Sequence, residues 1–303
     1  MSLRVFFLAS QLSLLVCGCT DSTDHQFIPR QVFRKSIPSA GATIPAPRAV
    51  TTADDDTLYL LDNAGRVLVF DKNGDPIRQW NMPESDVGNP EGICVLSNGQ
   101  IAVADTHYHR VVVFAPSGTV VRMVGQEGQK DGDFYWPVAV VEDDQGNLFV
   151  SEYGGSNRVQ KFNKDWQHLL TFGDIGDQPG EFQRPSGMVW HGDQLYIVDA
   201  FNDRIQVFDG QGHFLKVLGM QDATSRLHYP YDIALGPEKD LWVIEYGAGR
   251  ISRFSLKGEM LGRFGSTGSG PNQFGTPWGL AVDSSRRIWV ADTRNHRLVA
   301  VDP

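Results

Sequence analysis

The stretch IAVADTHYHRVVVF at residues 101–114 decides how the chain folds, because residues 288–301 read IWVADTRNHRLVAV. Met once, an aspartate followed by His107 and His109 suggests a metal site. Met twice, it suggests a repeat, since a catalytic centre is needed once per protein and a structural unit many times.

Prolines that open short apolar runs mark the period. Pro47, Pro90, Pro137, Pro185, Pro230 and Pro277 stand 43, 47, 48, 45 and 47 residues apart. Each run leads to a strand-like segment ending in an acid: Asp62, Asp105, Glu152, Asp199, Glu245 and Asp292. A short polar loop follows, and then an arginine opens the next segment: Arg66, Arg110, Arg158, Arg204, Arg250 and Arg297. The phrase at residues 101–114 is the second of six copies. Each copy has room for four short β-branched or alternating segments separated by Gly, Asn and Asp turns. A period of 40–50 residues with four strands per unit predicts an all-β, six-bladed β-propeller with four-stranded blades. The sixth copy stops at Pro303 after its third strand, and QVFRKSI at residues 31–37 has the length and apolar spacing to supply the fourth. The ring is therefore expected to close with an N-terminal strand.

The order proline, small residue, apolar strand, VAD, Asn or His before Arg, VFD and LG resembles the NHL repeat, and RNHRLV at residues 294–299 lies near its consensus. The resemblance covers nearly all of residues 31–303. It implies a propeller and leaves function open, because propellers of this kind include RNA-binding domains, peptide-amidating lyases, kinase sensor domains and bacterial lipoproteins, with lactonases as relatives.

Composition narrows the choice. The chain has 303 residues and a net charge of −9, with Lys and Arg scattered. A phosphate-binding face needs clustered basic residues, so no nucleic-acid partner is expected. The first residues read as export signal: Arg4, then the apolar VFFLASQLSLLV, then Gly18 directly before Cys19. That order resembles a bacterial lipobox, and it implies a signal peptide over 1–18, lipidation of Cys19, a tether over 19–30 and a propeller over 31–303. The expected product is an exported, membrane-anchored lipoprotein of the cell envelope, monomeric, with Thr20 favouring the outer membrane where the cell has one. Once Cys17 is removed and Cys19 lipidated, Cys94 remains alone, and its setting in GICVL suits a buried apolar role.

One acid and one arginine per copy, four to six residues apart, point to a structural pairing. Function is expected where the copies differ, on loops converging at one mouth of the channel. Directly after the prolines stand Arg48, Glu91, Tyr231 and Trp278, and directly after the acids stand Tyr153 and Tyr246. These six residues form the candidate ligand site, suited to an envelope protein, a peptide or a small amphipathic ligand. The preferred function is binding or scaffolding, with no cofactor. The alternative is a metal-dependent lyase, like those acting on peptidyl-hydroxyglycine, or a lactonase, holding zinc or calcium. The amidating lyases imply histidines directly after blade-opening prolines, and none stands there; Tyr153 falls where that family carries a functional tyrosine. The weak metal candidates are Glu91, Asp232 and His228. No phosphate-binding loop or serine-nucleophile motif is present, and the glycine-rich GSTGSGPNQFGTP matches the connections before Pro137 and Pro185.

Overall fold

Six four-stranded antiparallel sheets form, one per copy. The computed structural model describes residues 27–303 except 221, 222 and 224. The expected signal peptide and Cys19 lie outside the described residues. Blade 1 runs Pro47–Thr52, Leu58–Asp62, Arg66–Phe70 and Pro76–Asn81, from the inside outward. Blades 2 to 5 repeat that order, and each inner strand touches the inner strands of both neighbouring blades, which closes the ring. Blade 6 takes three strands from the C-terminus and its outer strand, Gln31–Ser36, from the N-terminus. The register runs from Gln31 opposite Asp302 to Ser36 opposite Arg297. The ends of the chain thus share a ladder, and opening the ring requires breaking it.

The second and third strands of the blades are buried on both sides, which is why Leu58–Asp62 and Ile101–Asp105 lack strict polar alternation. Apolar side chains meet in the seams between blades. Leu58, Leu60 and Phe70 of blade 1 pack against Trp289 and Ala291 of blade 6, and similar clusters fill the other seams. The outer strands are the most exposed, as in Val120–Val124, where only Val124 is partly buried. Ahead of the outer strand of blade 6, Phe27 stacks edge-on against Trp242 at 5.5 Å and lies 5.4 Å from Phe264.

The repeated acids and arginines pair in all six blades. Arginine Nε donates to the carboxylate over 2.8 Å (Arg66–Asp62), 2.9 Å (Arg110–Asp105), 2.6 Å (Arg158–Glu152), 2.7 Å (Arg204–Asp199), 2.8 Å (Arg250–Glu245) and 2.6 Å (Arg297–Asp292). The remaining guanidinium N–H groups mostly reach backbone carbonyls of the connection entering the same blade. Arg204 donates to Asp177, Gln178 and Glu181 in this way. The pair therefore ties the connection to the blade and satisfies a buried charge in one arrangement. Blade 2 departs from the pattern. There Arg110 turns to the Glu84 carboxylate, and Arg110 Nη2 and Asp105 Oδ1 are buried without partners.

The histidine of the repeat has a backbone task. His109, Asp203 and His296 each end a single 3₁₀ turn in the left-handed conformation, at φ 55°, 54° and 52°. Each then grips the start of the following blade: His109 Nδ1 meets the Tyr135 carbonyl, Asp203 Oδ1 accepts from Tyr229 N–H at 2.6 Å, and His296 Nδ1 meets the Ile44 carbonyl at 2.7 Å. The 3₁₀ turns are the only helical segments among the described residues, where the sequence suggested plain loops. They also part the two histidines of the opening phrase, since His107 Nδ1 faces the Asn89 carbonyl at 3.1 Å. The glycine-rich connections share a form as well. Ser266–Thr267 pairs in parallel with Gln273–Phe274, and single parallel bridges join Glu127 to Phe134 and Ile175 to Phe182. In these connections a glycine at φ near 90° faces a phenylalanine ring. A Cβ on Gly125 would lie 2.3 Å from Phe134, so no other residue fits there.

Candidate binding site at the channel mouth

The site is built around Glu91, which immediately precedes the inner strand of blade 2, Gly92–Val95. Its side chain is 3 % exposed, and both oxygens are engaged. Oε2 accepts from the Tyr231 hydroxyl at 2.7 Å, and Oε1 accepts from Arg48 Nη1 at 3.3 Å and the Tyr153 hydroxyl at 3.4 Å. Arg184 Nη2 stands 3.6 Å from Oε2 and donates to the hydroxyls of Tyr153 and Tyr231 at 3.3 and 3.2 Å. One carboxylate thus joins residues of blades 1, 3, 4 and 5. Burial, then the nearby Glu91 charge, pushes the Tyr153 phenol up to about 12 and holds Tyr231 well above the ordinary tyrosine value. Both phenols are therefore protonated near neutrality and act as hydrogen-bond donors.

Aromatic rings line the mouth beside this network. Trp278 lies 4.7 Å from Tyr231 and 6.1 Å from Tyr246, and Tyr229 lies 4.7 Å from Tyr246. Phe201 meets Tyr229 edge-on at 5.2 Å, and Trp136 lies 5.3 Å from Tyr153. Two guanidiniums sit over rings of the same group: Arg48 at 4.2 Å from Trp278 and Arg184 at 4.1 Å from Tyr153.

All six sequence-derived candidates fall in this assembly: Arg48, Glu91, Tyr153 and Tyr231 by hydrogen bonds, Tyr246 and Trp278 by ring contacts. Sequence reasoning missed Arg184 and Tyr229. They stand directly before Pro185 and Pro230, where the copies differ as much as they do after the prolines. A backbone signal marks them, because Arg184 and Tyr229 adopt φ of 63° and 47°, rare for bulky residues. Each is held from the preceding blade, Arg184 N–H donating to Asn157 Oδ1 and Tyr229 N–H to Asp203 Oδ1.

The weak metal candidates are dispersed. Asp232 accepts from the backbone N–H groups of Ile233 at 2.9 Å and Leu280 at 3.1 Å, bridging the inner strands of blades 5 and 6. Burial outweighs these two donors and pushes its carboxyl up to about 7. His228 is exposed, its ring beside Gly247. No group of three or more His, Cys, Asp or Glu suited to a metal occurs among the described residues. Glu91, Asp232 and His228 therefore do not come together as one ligand set. Cys94 is half-buried in the inner strand of blade 2, and burial, with the Glu142 charge, pushes its thiol up to about 12.

The NHL repeat pattern matches residues 88–114 and 274–300. NHL repeat-containing protein 3 of Homo sapiens is 28 % identical over 163 residues, covering 49 % of this chain and 46 % of that protein. Protein brain tumor of Drosophila melanogaster is 28 % identical over 144 residues, covering 46 % of this chain and 13 % of that protein. The chain thus spans about half, or much less, of the relatives it matches. A streptogramin B lyase structure superposes with a TM-score of 0.63 at 14 % identity, covering 89 % of this chain and 97 % of the other. A catalytically inactive virginiamycin B lyase from Staphylococcus aureus with quinupristin gives 0.61 at 15 % identity, covering 90 % and 88 %. At these identities the superpositions establish the shared fold alone.

Proposed function

For this NHL-repeat β-propeller we propose a binding or scaffolding role as a lipid-anchored protein of the bacterial cell envelope, with the ligand taken at the channel mouth. The observation that carries the reading is the buried Glu91, held by tyrosines and arginines from four blades beside a wall of Tyr229, Tyr246 and Trp278. So many fixed polar contacts leave the mouth preorganised, and rigid aromatic surface favours capture of peptides and amphipathic molecules. The anchor would be lipid on Cys19, a reading supported by the order of charged, apolar and small residues before it.

Two experiments test this. Trp278→Ala and Tyr246→Ala should abolish retention of an envelope-derived peptide or protein by the full chain while leaving its circular dichroism unchanged; retention by both variants would defeat the site. Cys19→Ala should release the protein from membranes and remove radiolabelled palmitate incorporation. The lyase or lactonase alternative draws on the fold shared with the streptogramin lyases and on Tyr153, whose hydroxyl contacts both Glu91 and Arg184. Turnover of a lactone or a peptidyl-hydroxyglycine, lost in Tyr153→Phe, would replace the binding reading.

A further inference from the structure

We infer that the mouth selects a singly charged anion, namely a carboxylate carried on a flat apolar group. This inference rests on the binding role proposed above and names the class of ligand. The first argument is charge. Arg48 and Arg184 both face Glu91, at 3.3 and 3.6 Å, so two cations share one buried anion. The charged groups acting on the Tyr153 phenol are Glu91, Arg184 and Arg48, and those acting on Tyr229 are Arg184 and Glu91. Among these three groups one positive charge is left over, in a chain whose net charge is −9. In a partly desolvated site such an excess favours one anionic group over none or two.

The second argument is unused donors. A guanidinium has five N–H groups. The blade arginines spend theirs on carboxylates and loop carbonyls, as Arg204 and Arg297 do through Nε, Nη1 and Nη2. Arg48 makes one described hydrogen bond, from Nη1 to Glu91. Arg184 donates through Nη2 alone, and its Nε is buried without a partner. The two side chains are 19 % and 17 % exposed, so their remaining N–H groups, the buried Arg184 Nε excepted, are within reach of a ligand. Paired N–H donors in a plane match the two oxygens of a carboxylate.

The third argument is what lies alongside. Arg48 rests on Trp278 and Arg184 on Tyr153, with Tyr229 and Tyr246 adjoining. A carboxylate gripped by these guanidiniums places its attached group against rings, where a flat apolar body buries most surface. Glu91 thereby acts as a specificity element. By neutralising one arginine it fixes the remaining charge at one.

The test compares N-acetylphenylalanine with N-acetylphenylalaninamide on the full chain, by calorimetry and by thermal shift, with dimethyl phosphate and inorganic phosphate as further probes. The acid should bind at least about tenfold more tightly than the amide, a difference of ~1.4 kcal/mol. Arg48→Gln should erase that preference, and Arg184→Gln should do the same where it folds. Glu91→Gln leaves two uncompensated arginines, so its preference for the acid should increase or shift toward inorganic phosphate. Equal binding of acid and amide, lost in Trp278→Ala, would overturn the anion inference and leave the binding role standing. Tighter binding of either phosphate by the wild type would overturn the carboxylate class. Absence of binding by every probe up to about 5 mM would overturn the inference, while retention of an envelope ligand would still uphold the role.

Discussion

The Tyr231 hydroxyl donates to Glu91 Oε2 over 2.7 Å, joining residues 140 positions apart on opposite blades. Blades 2 and 5 face each other across the channel, so this bond spans the mouth and holds two otherwise separate inner strands. Tyr231→Phe removes the shortest contact to a buried carboxylate and leaves the charge undersatisfied. A cost of about 1–3 kcal/mol is expected. Thermal or denaturant unfolding of Tyr231→Phe should show a lower midpoint, with native secondary structure retained at 25 °C. An unchanged midpoint would mean that Arg48, Arg184 and Tyr153 satisfy Glu91 unaided.

The acid–arginine pairs allow a comparison within one molecule. Arg204 binds Asp199 and three connection carbonyls, whereas Arg110 binds Asp105 and Glu84 and leaves Nη2 unpartnered. Removing one partner of a buried pair costs about 3–5 kcal/mol because the other charge is stranded. Arg204→Ala should therefore fall near that range, and Arg110→Ala should cost clearly less. Chemical denaturation of the two variants against wild type decides the order; equal losses would show that the connection carbonyls contribute nothing.

The fold was legible because its signals recur. A proline, an acid and an arginine repeated at blade spacing announced six units, and QVFRKSI stood where the unfinished sixth copy needed a strand. The site was legible where it departs from the repeat, as at Glu91 and Trp278. Arg184 and Tyr229 escaped notice for a physical reason. A residue before proline is expected in extended backbone, and nothing local in the sequence shows that these two are held at positive φ by Asn157 and Asp203 of the preceding blades. The pairing of Tyr231 with Glu91 was equally hidden, since it depends on the ring bringing opposite blades within reach.

Asp203 tests whether the turn residue of one blade positions the mouth of the next. It occupies φ 54° and accepts the Tyr229 N–H at 2.6 Å. Asp203→Ala loses the acceptor and places an unfavourable residue in left-handed backbone, together about 1–3 kcal/mol. Asp203→Asn keeps both features and should unfold close to wild type. Ligand affinity should fall in the alanine variant and recover in asparagine. Matching affinities in both variants would mean that Tyr229 is positioned by its ring contacts alone.

Asp232 predicts a pH dependence of stability. In the other copies the second residue after the proline is small: Ala49, Gly92, Ala139, Gly187 and Gly279. Here a carboxyl takes that place, close enough to Gly187 that a Cβ added there would stand 2.3 Å from Asp232 Oδ1. Its pKa rises through burial from an ordinary 3.8 to about 7, so the folded state holds this proton more tightly than the unfolded chain does. Below about pH 4 both states are protonated and the carboxyl imposes no penalty; the penalty grows as pH rises and is complete above about pH 7. Its upper bound is about 4 kcal/mol. Asp232→Asn carries no titration, and it gives up one acceptor at every pH. Its midpoint relative to wild type should therefore move upward by several degrees between pH 5 and pH 8, whatever the offset at pH 5. A difference that stays constant across that range would mean the carboxyl is ionised at both ends of it, with the two backbone N–H donors of Ile233 and Leu280 sufficient to hold its charge.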